Sequence, residues 1–173
     1  RIEGYMEEMH EMFDDEDEYM FELKLNHAAF FARNNRVLCY ERDLYIYLGG
    51  VHGMSTLYYT CYDLETGQRY ELSYLNNGEW TEALSNLIYD NISKNYSPDE
   101  FFVERGQTLH IPASVLITDE GLLLVYQPYE VAPYSTGIVT VALTDEEIAA
   151  TGAPLLWIEQ EQEQEQEQEQ EQE

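Results

Sequence analysis

One histidine in the sequence stands among residues that could expose it for chemistry. His52 follows a stretch of alternating apolar residues and lies in a glycine-rich run with Gly49, Gly50 and Gly53. Because glycine permits positive φ and close backbone approach, the run predicts a loop at the end of a strand. A histidine there could be a general base or a metal ligand. We favour a structural role, a hydrogen bond to the loop backbone, because no histidine or cysteine co-ligand stands nearby.

Tyrosines, prolines and one acid are concentrated in the run from residue 126 to residue 134. Its prolines fix φ, and its rings are those of Tyr126, Tyr129 and Tyr134. Together with Glu130 they could bind a sugar or a peptide, because rigid rings contact ligands at a low cost in conformational entropy. The structural alternative is a buried crossover in which backbone amides satisfy Glu130, since buried acids are usually paired or hydrogen-bonded.

Local motifs give little support to catalysis. The sequence contains no nucleophile elbow, phosphate-binding loop, HExxH zinc motif or CxxC pair. The remaining enzyme hypothesis is a hydrolase with His52 and Glu130 as its acid–base pair, and it requires both side chains to meet in one cleft. We therefore expect a binding protein rather than an enzyme, without a metal or an organic cofactor.

The two cysteines are placed symmetrically about the glycine-rich run. Cys39 and Cys61 each stand eleven positions from Gly50, so a hairpin centred there would oppose them on neighbouring antiparallel strands. Directly opposed residues have Cα atoms about 4.5–5.5 Å apart, which is close enough for a disulfide. A loop centred on Val51 would instead slip the register by two residues, and two buried thiols acting as small hydrophobes are the alternative to a bond.

Period-two alternation of apolar residues predicts the strands that position these motifs. It is clearest in FELKLNH, where the four residues at odd positions share one face. Turn residues separate the segments, as at Asn34-Asn35 and in the run from Asp119 to Gly121. The predicted strands are residues 21–27, 37–48, 57–63, 69–72, 114–118, 122–127 and 136–143.

Two helices are predicted beside these strands. Residues 79–96 carry apolar side chains at helical spacing, with an asparagine of the Asn76-Asn77 pair as N-cap and a stop before Pro98. The face that should pack on the sheet consists of Trp80, Leu84, Leu87, Ile88 and Ile92. A shorter helix should start at Thr144 with an acidic first turn. The fold class is therefore α+β, mainly an antiparallel sheet of hairpin-connected strands with one main amphipathic helix packed on it.

The chain of 173 residues is long enough for one domain with a core. We assign residues 19–158 to this domain, residues 1–18 to an acidic leader that could be the remnant of a preceding domain, and residues 159–173 to a disordered tail. The tail alternates glutamate and glutamine and has no apolar residue to bury. The sequence has no run of eighteen apolar residues, so this segment should not insert into a membrane.

The formal net charge of the chain is −27, and without the eight acids of the tail it is still −19. Such a surface repels nucleic acid and anionic membranes. It attracts basic proteins, basic peptides and divalent cations by the same long-range field. The charge could instead serve solubility alone.

Three motifs, taken in order, resemble a known family. The first is the run YIYLGGVHG at residues 45–53, and the second is DLETG at residues 63–67. The third comprises TDEGL and YQPYEVAPY within residues 118–134. Over residues 19–150 the chain thus resembles the domain of unknown function at the C-terminal end of lysozyme-sensing anti-sigma factors. A similar domain is a non-catalytic accessory in cell-wall polysaccharide deacetylases.

The resemblance implies a binding or sensing module of the bacterial cell envelope. The expected location is periplasmic, secreted or anchored to the membrane through sequence outside this segment. The implied partner is a basic envelope-active protein such as lysozyme, or a glycan of the cell wall. The residues expected to carry binding are Tyr47, Gly49, Gly50, His52, Tyr126, Tyr129, Glu130 and Tyr134. The alternatives are a wall-polymer hydrolase that uses His52 and Glu130, and a structural accessory domain without a ligand.

Association with a basic partner should slow steeply as salt is added. Exposed charges are screened over about 8–10 Å at physiological ionic strength, so attraction by the acidic surface should weaken. We expect the association rate with lysozyme to fall roughly tenfold or more between about 50 and about 500 mM salt, measured by stopped flow. A rate that does not depend on salt would show that charge does not steer the encounter.

Overall fold

Two three-stranded antiparallel sheets and one main helix make up the described fold. The structure is a computed structural model that describes residues 21–70, 81–112 and 114–152. Along the chain the elements are β1 Glu22–Ala32, β2 Val37–Tyr47, β3 Met54–Asp63, α1 Glu82–Ile92, β4 Ser114–Ile117, β5 Gly121–Tyr126, β6 Val139–Thr144 and α2 Asp145–Ala150, with 3-10 turns at Pro98–Glu100 and Tyr134–Thr136. The predicted α+β class, with hairpin-connected antiparallel strands and one main helix, is confirmed.

The first sheet has the order β1-β2-β3 and is built from two hairpins. The β1–β2 turn places Arg33, Asn34 and Asn35 at φ of 54°, 53° and 65°. Asparagine tolerates this left-handed region better than most residues, and the predicted Asn34-Asn35 turn is confirmed. In the β2–β3 hairpin Cys39 pairs directly with Cys61, as their symmetry about the glycine-rich run predicts.

The second sheet has the order β4-β5-β6 and continues into α2. Gly121, at the start of β5, lies so close to β6 that a Cβ there would stand 1.9 Å from the Leu143 carbonyl oxygen. Strand β6 alternates buried and exposed residues, as expected of a strand with one face on the core. At its end Thr144 and Glu147 form a capping box that begins α2, as the sequence predicts.

The helix α1 begins later and ends earlier than the sequence predicts. Thr81 keeps an extended backbone, and its hydroxyl accepts the Leu84 N–H at 3.1 Å, so Thr81 is the N-cap. The predicted start at residue 79 is therefore wrong, and the Asn76-Asn77 pair lies outside the described residues. The helix ends at Ile92 rather than near Tyr96, and turns lead from there towards the 3-10 segment.

One face of α1 packs against β6. The buried residues of the helix are Leu84, Ser85, Ile88 and Ile92, with Leu87 at the margin of the core. The apolar members agree with the predicted face, while Trp80 lies outside the described residues. Ser85 is the polar exception, and its hydroxyl accepts the Leu109 N–H at 3.1 Å. This bond gives the buried hydroxyl the partner that such groups require.

Side chains join the two sheets along the edge of β3 that does not pair with β2. The Gln127 amide bonds both backbone groups of Leu57, accepting its N–H at 3.0 Å and donating to its carbonyl at 2.7 Å. The Ser114 hydroxyl accepts the Tyr59 N–H at 2.8 Å. These bonds satisfy strand backbone groups at a junction where water is largely excluded.

An ion pair holds the sheets together at the end of β2 away from the glycine-rich loop. Arg33, in the β1–β2 turn, donates to both carboxylate oxygens of Asp145 at 2.5 and 2.9 Å, and its side chain is only 8% exposed. The Asp119 carboxylate also accepts the Arg33 N–H at 2.5 Å. Bidentate pairing of this kind compensates the loss of hydration of both charges.

The first sheet differs from expectation in two places. Of the strand predicted at residues 69–72, the described part forms only a bridge between Tyr62 and Arg69. Strand β1 has the predicted alternation, but Leu23 and Leu25 are 47% and 38% exposed. The reason is that both lie on the face of the sheet turned away from β4, which contacts the opposite face at Cys39 and Cys61.

The leader and tail assigned at residues 1–18 and 159–173 lie outside the described residues. Among the residues that are described, none of the helices has the length and apolar character needed to cross a bilayer.

Replacing Leu84 with alanine should destabilise the fold. The side chain is 5% exposed and faces the core, so Leu84→Ala should lower the free energy of unfolding by about 2–5 kcal/mol. Urea denaturation gives the value. The control is Leu64→Ala, at a leucine that is 46% exposed, which should change the free energy of unfolding by less than about 1 kcal/mol. Equal effects of the two substitutions would contradict the assigned core.

Candidate functional site

The glycine-rich run forms the loop that joins β2 to β3. Gly49 and Gly50 take φ of 85° and 96°, values that residues with a side chain rarely adopt. The Tyr47 hydroxyl donates to the Gly50 carbonyl at 2.9 Å and braces the loop. Near its centre Val51 is 99% exposed. The loop therefore projects into solvent, where its residues can meet another molecule.

The segment after β5 is a tight turn that holds one tyrosine in an unusual conformation. Tyr129 has a φ of 72°, and 55% of the residue is exposed to solvent. Its N–H donates to the Ala132 carbonyl at 3.1 Å, and the Glu130 N–H donates to the Gln127 carbonyl at 3.0 Å. A bulky residue with positive φ carries about 1–3 kcal/mol of strain, which the surrounding turn must hold.

These two loops meet through three aromatic rings, those of His52, Tyr129 and Tyr134, which we call the ring cluster. The rings of His52 and Tyr134 stack with centroids 3.8 Å apart and planes 19° from parallel. The centroid of the Tyr129 ring lies 5.9 Å from that of Tyr134. The ring cluster therefore takes one residue from the β2–β3 loop and two from the segment that follows β5.

The backbone at Gly53 anchors the ring cluster. Its carbonyl accepts a hydrogen bond from the Tyr134 hydroxyl, and the His52 Nδ1 lies 3.2 Å from the same oxygen. This contact is the bond to the loop backbone that the structural role of His52 predicts. A Cβ at Gly53 would stand 2.4 Å from the ring of Tyr45, so a side chain there would displace that ring.

The loop that carries His52 is flanked by exposed apolar residues. Leu48 is 48% exposed and Met54 is 38% exposed, at the two ends of the same loop. Flat exposed rings can stack on the apolar face of a sugar, or receive an apolar or cationic side chain of a protein. The arrangement is suited to contact with a ligand at a surface.

Tyr126 and Glu130, also expected among the binding residues, support the turn from beneath. Tyr126 is fully buried, and its hydroxyl donates to the His110 carbonyl at 3.4 Å. Burial, together with the nearby charge of Glu130, raises the pKa of Tyr126. One carboxylate oxygen of Glu130 accepts the Gln127 N–H at 2.5 Å. The structure therefore does not bring the Tyr126 ring to the exposed surface, because β5 carries it into the core.

The two residues of the hydrolase hypothesis have separate partners. Glu130 has its second carboxylate oxygen 3.7 Å from the Nε2 of His110. His52 stacks on Tyr134 instead, and the contacts found among the described residues include none between His52 and Glu130. The described chain also has no group of three or more histidine, cysteine, aspartate or glutamate side chains arranged to hold a metal ion.

Two residues that position the site were not identified from the sequence. Gln127 and Ser114 bind the edge of β3, and through it they hold the β2–β3 hairpin against the segment that contains Tyr129. A signal was available, because Gln127 is a polar residue directly after the apolar run of β5 and is only 8% exposed. Its partner, however, is 70 positions away and is not indicated by any local pattern.

The first sheet also has an exposed apolar face that the sequence does not indicate. We call it the outer face, the side of the sheet that carries Leu25, Leu44 and Thr56 in register. Its exposed members include Leu23, Leu25, Phe31, Tyr40, Met54 and Tyr62. In its middle the Arg42 guanidinium lies 5.1 Å from the centroid of the Tyr58 ring. Exposed apolar residues gathered on one face are typical of interaction surfaces.

Residues 75–146 match the model of a family described as a protein of unknown function, DUF3298. The match confirms the resemblance to a domain of unknown function. It includes α1, the second sheet and the segment with Tyr129 and Tyr134, but not the loop with His52. No curated protein matches the chain.

Two crystal structures of proteins described as members of DUF3298 have a similar fold. A member from Bacteroides fragilis is 18% identical, with a TM-score of 0.63, and the match covers 86% of this chain and 60% of that one. A protein from Pseudomonas aeruginosa is 18% identical, with a TM-score of 0.59, over 84% of this chain and 66% of that one. The chain thus spans less than two thirds of the length of either protein, and at this identity the likeness concerns the fold.

Removing the Gln127 amide should loosen the junction of the two sheets. Gln127→Ala leaves the N–H and the carbonyl of Leu57 without their partner, so the free energy of unfolding should fall by about 2–4 kcal/mol. Chemical denaturation measures it, with Gln68→Ala at an exposed glutamine as the control. If the loss at Gln127 were no larger than at Gln68, the amide would not be what joins the sheets.

Proposed function

We propose that this domain is a binding module of the bacterial cell envelope, that it works outside the cytoplasm, and that the ring cluster is its contact surface. The observation that carries the proposal is the meeting of two loops from different sheets in three stacked or adjacent rings, with Tyr129 55% exposed. Surface loops held by a rigid scaffold are where binding residues are usually found.

The backbone at Tyr129 supports binding over a purely structural role. A bulky residue at a φ of 72° is strained, and strained residues of this kind cluster at functional sites. Burial cannot explain the choice of tyrosine, because most of its side chain faces solvent. The turn thus holds an aromatic ring in a fixed orientation at the surface, which lowers the entropy lost when a partner binds.

Charge favours a basic protein as the partner. The chain carries −27, so a cationic protein is attracted over long range before contact. Tyrosine rings also accept cationic side chains, and aromatic residues are enriched where protein interfaces bind most strongly. The resemblance to the lysozyme-sensing anti-sigma factors agrees with this chemistry, and lysozyme is the partner we propose to test first. A wall glycan, stacked on the same rings, is the second candidate.

Binding to lysozyme should depend on the Tyr129 ring. Tyr129→Gly removes the ring while glycine accepts the positive φ, so the fold should be retained while the affinity falls roughly tenfold or more. The matched control is Tyr62→Ala, which removes a ring of similar type, 37% exposed, at the far end of β3. Titration calorimetry with lysozyme, and separately with soluble fragments of cell-wall glycan, measures both variants against the unmodified chain.

Each outcome separates one hypothesis from the others. Lysozyme binding that is lost in Tyr129→Gly and kept in Tyr62→Ala supports the ring cluster as the protein-binding surface. The opposite pattern assigns binding to the outer face. Binding of glycan fragments alone, again lost in Tyr129→Gly, assigns the ring cluster to sugars. No binding of either probe contradicts the proposal and leaves a structural accessory domain, and release of shortened glycans would indicate the wall-polymer hydrolase instead.

A further inference from the structure

Cys39 and Cys61 stand opposite each other at the junction of the two sheets. They are paired directly in the register of β2 and β3, and their sulfur atoms are 3.5 Å apart. Both are buried, with 0% and 3% of their surface exposed, and both are free thiols in the structure. Neither takes part in the ring cluster, so their pairing calls for a separate account.

The hydrogen bonds of β3 show which kind of cross-strand pair this is. Leu57 and Tyr59 direct their backbone groups away from β2, to the side chains of Gln127 and Ser114. Two residues further on, the Cys61 carbonyl likewise accepts the Tyr70 N–H at 2.9 Å, away from β2. Cys39 and Cys61 are therefore a non-hydrogen-bonded pair of the antiparallel ladder. Such pairs have Cα atoms about 4.5 Å apart, within the range of disulfides.

The surroundings of the two sulfurs differ and give each a role in thiol–disulfide exchange. Contact with the Cys39 sulfur, the Ile117 N–H at 3.4 Å and the charge of Arg69 lower the pKa of Cys61 despite the opposing effect of burial. The Cys39 thiol donates to the Ile117 carbonyl at 3.4 Å and keeps its proton. Because the thiolate is the nucleophile, Cys61 attacks first and Cys39 resolves.

We propose that Cys39 and Cys61 form an intramolecular disulfide that locks the β2–β3 hairpin. The Cys61 thiolate attacks one sulfur of a small disulfide, such as oxidised glutathione, and releases one molecule of thiol. Cys39 then loses its proton and attacks the Cys61 sulfur of the mixed disulfide, which releases the second thiol. The two cysteines are oxidised by two electrons, the small disulfide is reduced to two thiols, and the two protons pass to those thiols.

The bond would act on the loop that holds His52. The bond would enclose the twenty-one residues from 40 to 60 between the two cysteines, and every residue of the β2–β3 loop is among them. A cross-link restricts the unfolded chain and so favours the folded state, more strongly for longer enclosed loops. Oxidation should therefore stabilise the register that brings His52 onto Tyr134. Compartments outside the cytoplasm are oxidising, so such a bond persists there.

Thiol counting on the full chain tests the proposal. The protein is incubated with oxidised glutathione in mild denaturant, refolded, then denatured without reduction and assayed for free thiols and mass. We expect no free thiol, a monomer about 2 Da lighter than the reduced chain, and a melting temperature roughly 5–15 °C above that of the reduced protein. The controls are Cys39→Ser and Cys61→Ser, each of which should show no such rise in melting temperature after the same treatment.

Other results would overturn the proposal. Two free thiols, a glutathione adduct that does not resolve, or a disulfide-linked dimer would each show that the pair does not close. A closed bond that lowers the melting temperature would show that it strains the hairpin instead of locking it. Because the unmodified chain provides these readouts, the outcome does not depend on the folding of either variant.

Discussion

The fold depends on which groups form hydrogen bonds with the backbone of β3 on its edge away from β2. A strand at the edge of a sheet leaves alternate N–H and carbonyl groups without partners. Burying them unpaired would lower the free energy of unfolding. Here the partners are side chains from the second sheet: the Gln127 amide at Leu57 and the Ser114 hydroxyl at Tyr59. One amide side chain thus does what an additional strand would do, and the two sheets become one framework without a continuous ladder.

The position of the ring cluster follows from this junction. Gln127 ends the apolar run of β5 and is followed at once by the turn that carries Tyr129. Fixing Gln127 against β3 therefore fixes the start of that turn relative to the β2–β3 hairpin. At the other end of the hairpin the pairing of Arg33 with Asp145 gives the two sheets a second point of contact. A site shared by two loops needs both constraints, because neither loop alone holds the rings together.

Local patterns predict much of the fold and less of the site. Alternation indicated the strands, the Thr144 capping box indicated α2, and the symmetry about the glycine-rich run indicated the pairing of the two cysteines. These features depend on neighbours within a hairpin or a single turn. Other features depend on how the two sheets pack on each other, and sequence spacing does not contain that information. They are the burial of Tyr126, the exposure of Leu23 and the role of Gln127. The Thr81 cap was missed because the asparagine pair upstream is an equally good local signal.

The outer face and the acidity of the chain have a joint consequence for colloidal behaviour. Among the described elements β1 is an edge strand of eleven residues, and Leu23, Leu25 and Phe31 lie exposed along it. Edges of this kind invite pairing between copies, and soluble proteins commonly oppose it with charge. A net charge of −27 makes two copies of the chain repel each other at distances too large for apolar contact. Molecules of this chain are thus kept dispersed by electrostatic repulsion, and concentrated salt or acid, which weakens that repulsion, is the condition under which they coalesce.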